Sequence, residues 1–303
     1  MTPDAVPGWV DRLPGRPRRW ARLARFDRPA GIWLLFWPCA VGLFLSERPA
    51  ALALLPWFFL GAVVMRAAGC IWNDLLDRDL DRKVARTAAR PLASGEVRPA
   101  EAIALMAAFL GVGLWVLAQL PRPAQLAALL SLLPVAVYPL MKRITWWPQV
   151  WLGITFNWGV WVGWACGARP AEPVVAALAY LGLLLWTVGY DTIYATQDRE
   201  DDALAGVRSA ARRLGPHLKG GVMACYGAAL LLLGAALYRH RPDVLAPLGL
   251  LPAAVALGWQ AFTFRPDAPG NALARFRANV EAGGLIALAF AATFPWPGPW
   301  ARG

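Results

Sequence analysis

ALALLPWFFLGAVVMRAAGCIWNDLLDRDLD (51–81) decides between a soluble and a membrane protein. Residues 51–72 are apolar apart from Arg66, and a helix needs about 20 such residues to cross a bilayer core. Residues 73–81 hold four aspartates and directly follow that span. Eight more apolar stretches lie along the chain, at 29–46, 102–120, 124–140, 147–166, 173–195, 219–238, 244–263 and 279–296. Composition agrees, with 58% of the 303 residues hydrophobic and only 16% charged. The mean hydropathy of +0.44 is too high for a soluble domain of this size. The expected fold class is all-α, a polytopic membrane protein built as a bundle of nine transmembrane helices. Tight links, such as Arg122 between two prolines, make successive helices antiparallel neighbours.

The net charge of +11 would suit nucleic acid in a soluble chain. Here it follows from how Lys and Arg divide between alternate loops. With the N-terminus in the cytoplasm, 23 basic residues fall on that side and 6 on the other, a strong positive-inside bias. The expected location is a bacterial inner (plasma) membrane, with a basic cytoplasmic arm over 1–24 and one transmembrane domain over 25–303. The arm has no apolar run ahead of its arginines, so it does not read as a cleaved secretory signal; Arg-rich and poor in acids, it reads as a juxtamembrane basic helix, with a short mitochondrial presequence as the alternative. No nucleic-acid partner is expected. Cys39, Cys70, Cys166 and Cys225 lie in or beside apolar runs without CxxC spacing, as small buried hydrophobes do. His217 and His240 are the only histidines, too few for a histidine-based metal site.

Two loops on the basic side are also acidic. Residues 73–101 and 191–202 together hold 11 of the 19 Asp and Glu. Asn73, Asp77 and Asp81 are spaced i, i+4, i+8 and line one face of a continuing helix. Asp198 and Asp202 repeat the i, i+4 spacing, and Asp191 precedes them by two turns. Like charges on one face repel unless a cation neutralises them or water solvates them. Mg²⁺ suits the first case, because it takes oxygen ligands and is often held by one or two carboxylates plus substrate phosphates. The plain alternative is a pair of solvated loops balanced by Arg78, Arg82, Lys83 and Arg199. Two clusters of one spacing at the ends of two spans favour the cation.

A diphosphate leaving group needs cations as its charge develops. Lys142 and Arg143 in YPLMKR (138–143) and Arg208 are candidates, with topological anchoring as the alternative for the first two. Arg66 lies two turns before Asn73 on nearly the same face, and a cation inside a span normally faces a polar interior. It could bind an anionic substrate group or pair with Asp191. Asn157 in GITFNWG (153–159) is a polar group in an apolar span, expected to face a cavity. Most of the 17 tryptophans belong to interfacial belts and lipid-facing surface, although a few could stabilise a cation through their π-faces.

GCIWNDLLDRDLDRKVARTAARPLASG (69–95) resembles the NDxxDxxxD region of the UbiA superfamily of intramembrane prenyltransferases, and DTIYATQDREDD (191–202) its second Asp-rich motif. RFDRPAGIWLLFWP (25–38), YPLMKR and GITFNWG are similar to the 4-hydroxybenzoate polyprenyltransferase branch, so the resemblance runs from about residue 25 to 215. It implies nine helices around a cavity open laterally to lipid. It also implies Mg²⁺-dependent transfer from polyprenyl diphosphate to the ring carbon ortho to the hydroxyl of 4-hydroxybenzoate, in ubiquinone biosynthesis. By position, Asn73, Asp77, Asp198 and Asp202 would hold Mg²⁺, with Asp81 a ligand or one step removed. Lys142, Arg143 and Arg208 would assist electrostatically, and Arg66 would take the benzoate carboxylate. Asp191 would orient the phenol or accept its proton, and the prenyl tail would run out towards membrane lipid. One departure is Arg208-Ser209-Ala210 where relatives often carry Lys-Ser-Thr, a fork in place of a point charge. A related enzyme with another acceptor, such as dihydroxynaphthoate, homogentisate, haem or a glycerol-phosphate lipid, stays open. So does a transporter, although no internal repeat of the transporter kind is visible.

Overall fold

The computed structural model describes residues 8–83, 87–168, 170–198 and 208–296. Among them there is no strand. Leaving single turns unlabelled, the helices are α1 Gly15–Leu23, α2 Ala30–Leu45, α3 Leu55–Asp81 and α4 Pro99–Ala118. They continue as α5 Arg122–Val137, α6 Pro148–Asn157, α7 Gly159–Trp164 and α8 Pro173–Tyr194. The last four are α9 Leu218–His240, α10 Leu251–Thr263, α11 Pro269–Arg277 and α12 Asn279–Ala292. Proline occupies the first or second position of α3, α4, α5, α6, α8, α10 and α11. There its missing N–H costs nothing and its fixed φ is already helical.

All nine apolar stretches are helical over most of their length. Five helical runs among the described residues are long and apolar enough to cross a membrane, at 49–81, 99–118, 122–144, 173–197 and 210–240. The stretch 29–46 supplies the shorter α2. The stretch 147–166 is split into α6 and α7 at Trp158. The stretches 244–263 and 279–296 supply α10 and α12, of 13 and 14 residues. Hydropathy finds where the chain is apolar, whereas helix ends are set by turn residues and packing.

α2 and α8 form the centre: α8 packs on α2, α6, α7, α9 and α11, and α2 on α3, α6, α7, α8 and α12. The α2–α7 crossing is close because glycine lines it. A Cβ on Gly42 would strike the backbone carbonyl of Val160, and one on Gly163 the backbone of Cys39 and Leu43, the small-residue contact that lets membrane helices approach. Tryptophan ties the rest, with Trp37 Nε1 donating to Val280 O at 2.8 Å and Trp158 Nε1 to Ala127 O at 2.9 Å. The periphery is apolar and open: Leu114 on α4, Leu133 on α5, Leu231 on α9 and Val255 on α10 are each more than 60% exposed. So many exposed large aliphatics suit lipid, not water.

A buried polar hub joins α8, α9, α10 and α12. Asn279 Oδ1 accepts from Trp186 Nε1 at 2.8 Å and from the Tyr226 hydroxyl at 3.3 Å, while Nδ2 donates to Gln260 Oε1 at 2.7 Å. Asn279 and Gln260 are fully buried. Asn279→Ala strands the Trp186 donor and loosens Gln260, at about 1–3 kcal/mol for an unsatisfied buried group. The expected result is a lower thermal midpoint in detergent, and an unchanged midpoint would discount the hub.

Candidate functional site

α3 continues without a break from the apolar stretch through Asn73, Asp74 and Asp77 to Asp81. The motif therefore sits on the end of a helix whose body is packed in the bundle, and Asn73, Asp77 and Asp81 share one side of it as their spacing requires. Their surroundings differ. Asn73 lines a polar cavity. Asp77 is fully buried, ion-paired to the Lys142 ammonium and, at 3.2 Å, to Arg143 Nη2. Asp81 accepts from Arg90 Nη1 at 2.7 Å.

The turn Met141–Ile144, which follows α5, carries Lys142 and Arg143 onto Asp77. Arg143 Nη2 also donates to Leu76 O at 3.1 Å. The chain returning from the second acidic loop docks on the same turn. The Arg208 amide donates to Lys142 O at 3.1 Å, its Nη1 to Ile144 O at 2.6 Å, and its guanidinium lies 5.8 Å from the Trp146 ring centroid. Two of the three predicted basic residues, Lys142 and Arg143, thus stand against Asp77, and Arg208 packs on the turn that carries them. Asp198 ends the 3₁₀ turn Ala195–Asp198 that continues α8; Asp202 lies outside the described residues.

The polar cavity has a volume of about 460 Å³, with Arg66, Asn73, Asp74, Arg90, Tyr138 and Asp191 in its wall. A second cavity of about 460 Å³ opens between α3, α4 and α5, lined by residues such as Phe58, Met65, Leu114, Leu117 and Leu132. It exists because α4 leans on α3 and barely touches α5. Arg66, Gly69, Tyr138 and Phe156 belong to both walls. The Arg66 guanidinium lies 5.5 Å from the Phe156 ring centroid, and its buried Nε has no hydrogen-bond partner among the described residues.

Asn157 corrects its sequence reading. It is fully buried at the α6–α8 contact, donating to Gly153 O and to the Thr187 hydroxyl, each at 2.8 Å. It lies outside the walls of both cavities. A polar group in an apolar span must find a partner, and Thr187 on the facing helix supplies one.

Spacing alone missed the other half of the charge network. Asp74 accepts from Arg25 Nη2 at 2.7 Å through each carboxylate oxygen and from Arg90 Nη1 at 3.2 Å. Arg25 and Asp74 are 8% and 2% exposed. Burial pulls the Arg25 guanidinium pKa down, yet Asp74, together with nearby Cys70 and Asp27, outweighs it and the group is held above its ordinary value. Asp74 and Asp81 are seven residues apart, on one helix face, which is the signal that could have paired them.

Among the described residues, no three Asp, Glu, His or Cys side chains gather into a metal cage. The available donors, Asn73, Asp77 and Asp81, are all oxygens, and one or two carboxylates completed by ligand phosphates is the pattern Mg²⁺ tolerates. The residues therefore fit such an ion. It would share or displace the ammonium on Asp77 and the guanidinium on Asp81.

Residues 35–296 match the model of the UbiA prenyltransferase family. The mitochondrial 4-hydroxybenzoate polyprenyltransferase of Arabidopsis thaliana is 39% identical over 92% of this chain and 69% of its own length. The 4-hydroxybenzoate geranyltransferase 2 of Lithospermum erythrorhizon is 40% identical over 92% of each chain. A solved UbiA homolog from Aeropyrum pernix K1 superposes with a TM-score of 0.72 at 28% identity, covering 86% of this chain and 97% of that one. A homolog from Archaeoglobus fulgidus, solved with GPP and Mg²⁺, shares the fold at a TM-score of 0.67 and 19% identity, over 92% of this chain and 100% of that one. A transporter is thereby set aside, and the charged helix end beside a polar cavity takes its place in an integral membrane enzyme: the chain belongs to the UbiA prenyltransferase family and is a prenyltransferase.

Proposed function

We propose that the protein transfers a polyprenyl group from its diphosphate to the ring carbon ortho to the hydroxyl of 4-hydroxybenzoate, releasing diphosphate, as a step of ubiquinone biosynthesis. The observation that carries this is the pair of cavities, one polar and one apolar, meeting at Arg66. A prenyl diphosphate is a molecule with those two halves. The names of the relatives, which span nearly the whole chain, supply the acceptor.

Asn73, Asp77, Asp198 and Asp202 are assigned to hold Mg²⁺, with Asp81 direct or one step removed. Mg²⁺ held there would supply positive charge to the departing diphosphate. Lys142 and Arg143 stand beside Asp77, and Arg208 lies on the same turn; the three supply further positive charge to the leaving group. Arg66 holds the benzoate carboxylate, which turns the hydroxyl end of the ring towards Asp191. Asp191 orients the phenol or takes the proton lost when the ring regains aromaticity. The helices exclude water from the allylic cation, and the tail lies in the apolar cavity, whose opening faces membrane lipid. The charge bias between loops supports an arm and acidic loops on the cytoplasmic side of the membrane.

Purified protein in nanodiscs, given geranyl diphosphate and 4-hydroxybenzoate, should form prenylated product with Mg²⁺ and none with EDTA. Product that persists in EDTA would remove the metal from the reading, and product only with a different acceptor would change the substrate. Arg66→Gln should raise KM for 4-hydroxybenzoate by about 10- to 100-fold, the worth of a charge-assisted hydrogen bond. KM for geranyl diphosphate should stay near that of the parent. A rise in the diphosphate KM instead would move Arg66 to the other substrate.

A further inference from the structure

Of the four residues shared by both cavities, Arg66, Tyr138 and Phe156 are large and Gly69 has no side chain. We propose that Gly69 sets the bore of the passage between the two cavities and so governs which isoprenoid chains reach the reacting end. The inference rests on the prenyl-transfer reading and adds a specificity determinant to it.

Gly69 sits in the interior of α3, where glycine costs about 1 kcal/mol relative to alanine. Two ordinary reasons for accepting that cost do not apply. Its backbone is not among the positive-φ glycines, which are Gly15, Gly95 and Gly215 among the described residues. Nor does another described helix press on it: a Cβ built at Gly69 meets no atom of the described residues within 4 Å, in contrast to Gly42 and Gly163. What the glycine leaves is open space, and that space is the junction. It lies between Arg66 and Asn73 along the helix, one turn from each, and lines the same polar cavity as they do. A chain running from a diphosphate near Asn73 into the apolar cavity passes over this position. A methyl group there narrows the passage without touching the fold, and a branched side chain closes it.

The test compares Gly69→Ala, Gly69→Val and Gly69→Leu with the parent, and with Gly227→Leu as a control. Gly227 is a glycine on α9, away from both cavities, that also has nothing within 4 Å of an added Cβ. The Gly69→Ala midpoint should equal or exceed the parent's. With geranyl diphosphate kcat/KM should fall stepwise with side-chain size, by roughly 10-fold or more for Val and Leu, the range for one misfitting group in an apolar pocket. Dimethylallyl diphosphate should lose less, so the geranyl-to-dimethylallyl ratio drops. Calorimetric binding of Mg²⁺ with inorganic diphosphate should match the parent in every variant. Folded Val and Leu variants with parental kcat/KM and ratio would overturn the proposal while leaving prenyl transfer intact. Equal losses of inorganic diphosphate binding would overturn it too, by showing a general disturbance of α3. If the parent binds geranyl diphosphate but never transfers it, the transfer reading fails. The binding ratio of geranyl to inorganic diphosphate across the same variants then decides the bore.

Discussion

Asp77→Ala is expected to lower kcat/KM by about 10³-fold while leaving the protein folded. The size follows from several kcal/mol of transition-state charge stabilisation by a metal, near 4 kcal/mol at about 1.36 kcal/mol per tenfold. The structural cost is small because the partners of Asp77 have somewhere else to go. Lys142 is 24% exposed and Arg143 51% exposed, so both cations turn to water when the carboxylate is gone. Ion pairs with so wet a partner contribute about 0–1 kcal/mol. The measurement is single-turnover and steady-state prenylation beside a thermal midpoint. A folded variant with more than a tenth of parental activity would take Asp77 out of the metal site.

Arg25→Ala should show the opposite pattern, a large loss of stability from a residue before the first apolar helix. Arg25 and Asp74 are both nearly inaccessible, and removing one partner leaves the other charge buried at about 3–5 kcal/mol. Arg90, 3.2 Å from Asp74, offsets part of this. The net shift should be roughly 6 to 12 °C in midpoint if about 3 kcal/mol remains. Arg25 also has φ of 59°, a left-handed backbone that an L-residue adopts at a cost. The ion pair and the packing around it hold that conformation. Arg25→Leu with Asp74→Leu should recover much of the loss, since a buried pair is often replaceable by apolar groups when neither charge is stranded. Additive losses in the double variant would show that the two residues act independently.

The helical class and the position of every apolar stretch were legible in the sequence, because twenty apolar residues have few other uses. The shared face of Asn73, Asp77 and Asp81 was legible too, because helical periodicity is local information. Arg66 was readable as cavity-facing for an energetic reason: a guanidinium inside a span must meet something polar, and it lines the polar cavity. Asn157 obeyed the same rule with a different result, since its partner Thr187 lies thirty residues away on a facing helix. Nothing in GITFNWG separates those outcomes. Arg25, Arg90 and Asp74 stood inside the quoted stretches, yet their pairing depends on how the segment before α2 lies over the end of α3. The α6–α7 break and the Asn279 hub are set by packing between distant helices, which no local pattern encodes.

The same contacts count crossings without any bilayer being drawn. A chain that touches itself at one face of a membrane has crossed it an even number of times in between. Arg25 meets Asp74 across α2 and α3, Lys142 meets Asp77 across α4 and α5, and Arg208 meets Ile144 across α6 to α8. At the opposite pole Arg241 meets Glu47 and Arg239 meets Glu172. These positions fall into two sets of fixed parity, so a single sidedness label on any one of them assigns all the rest.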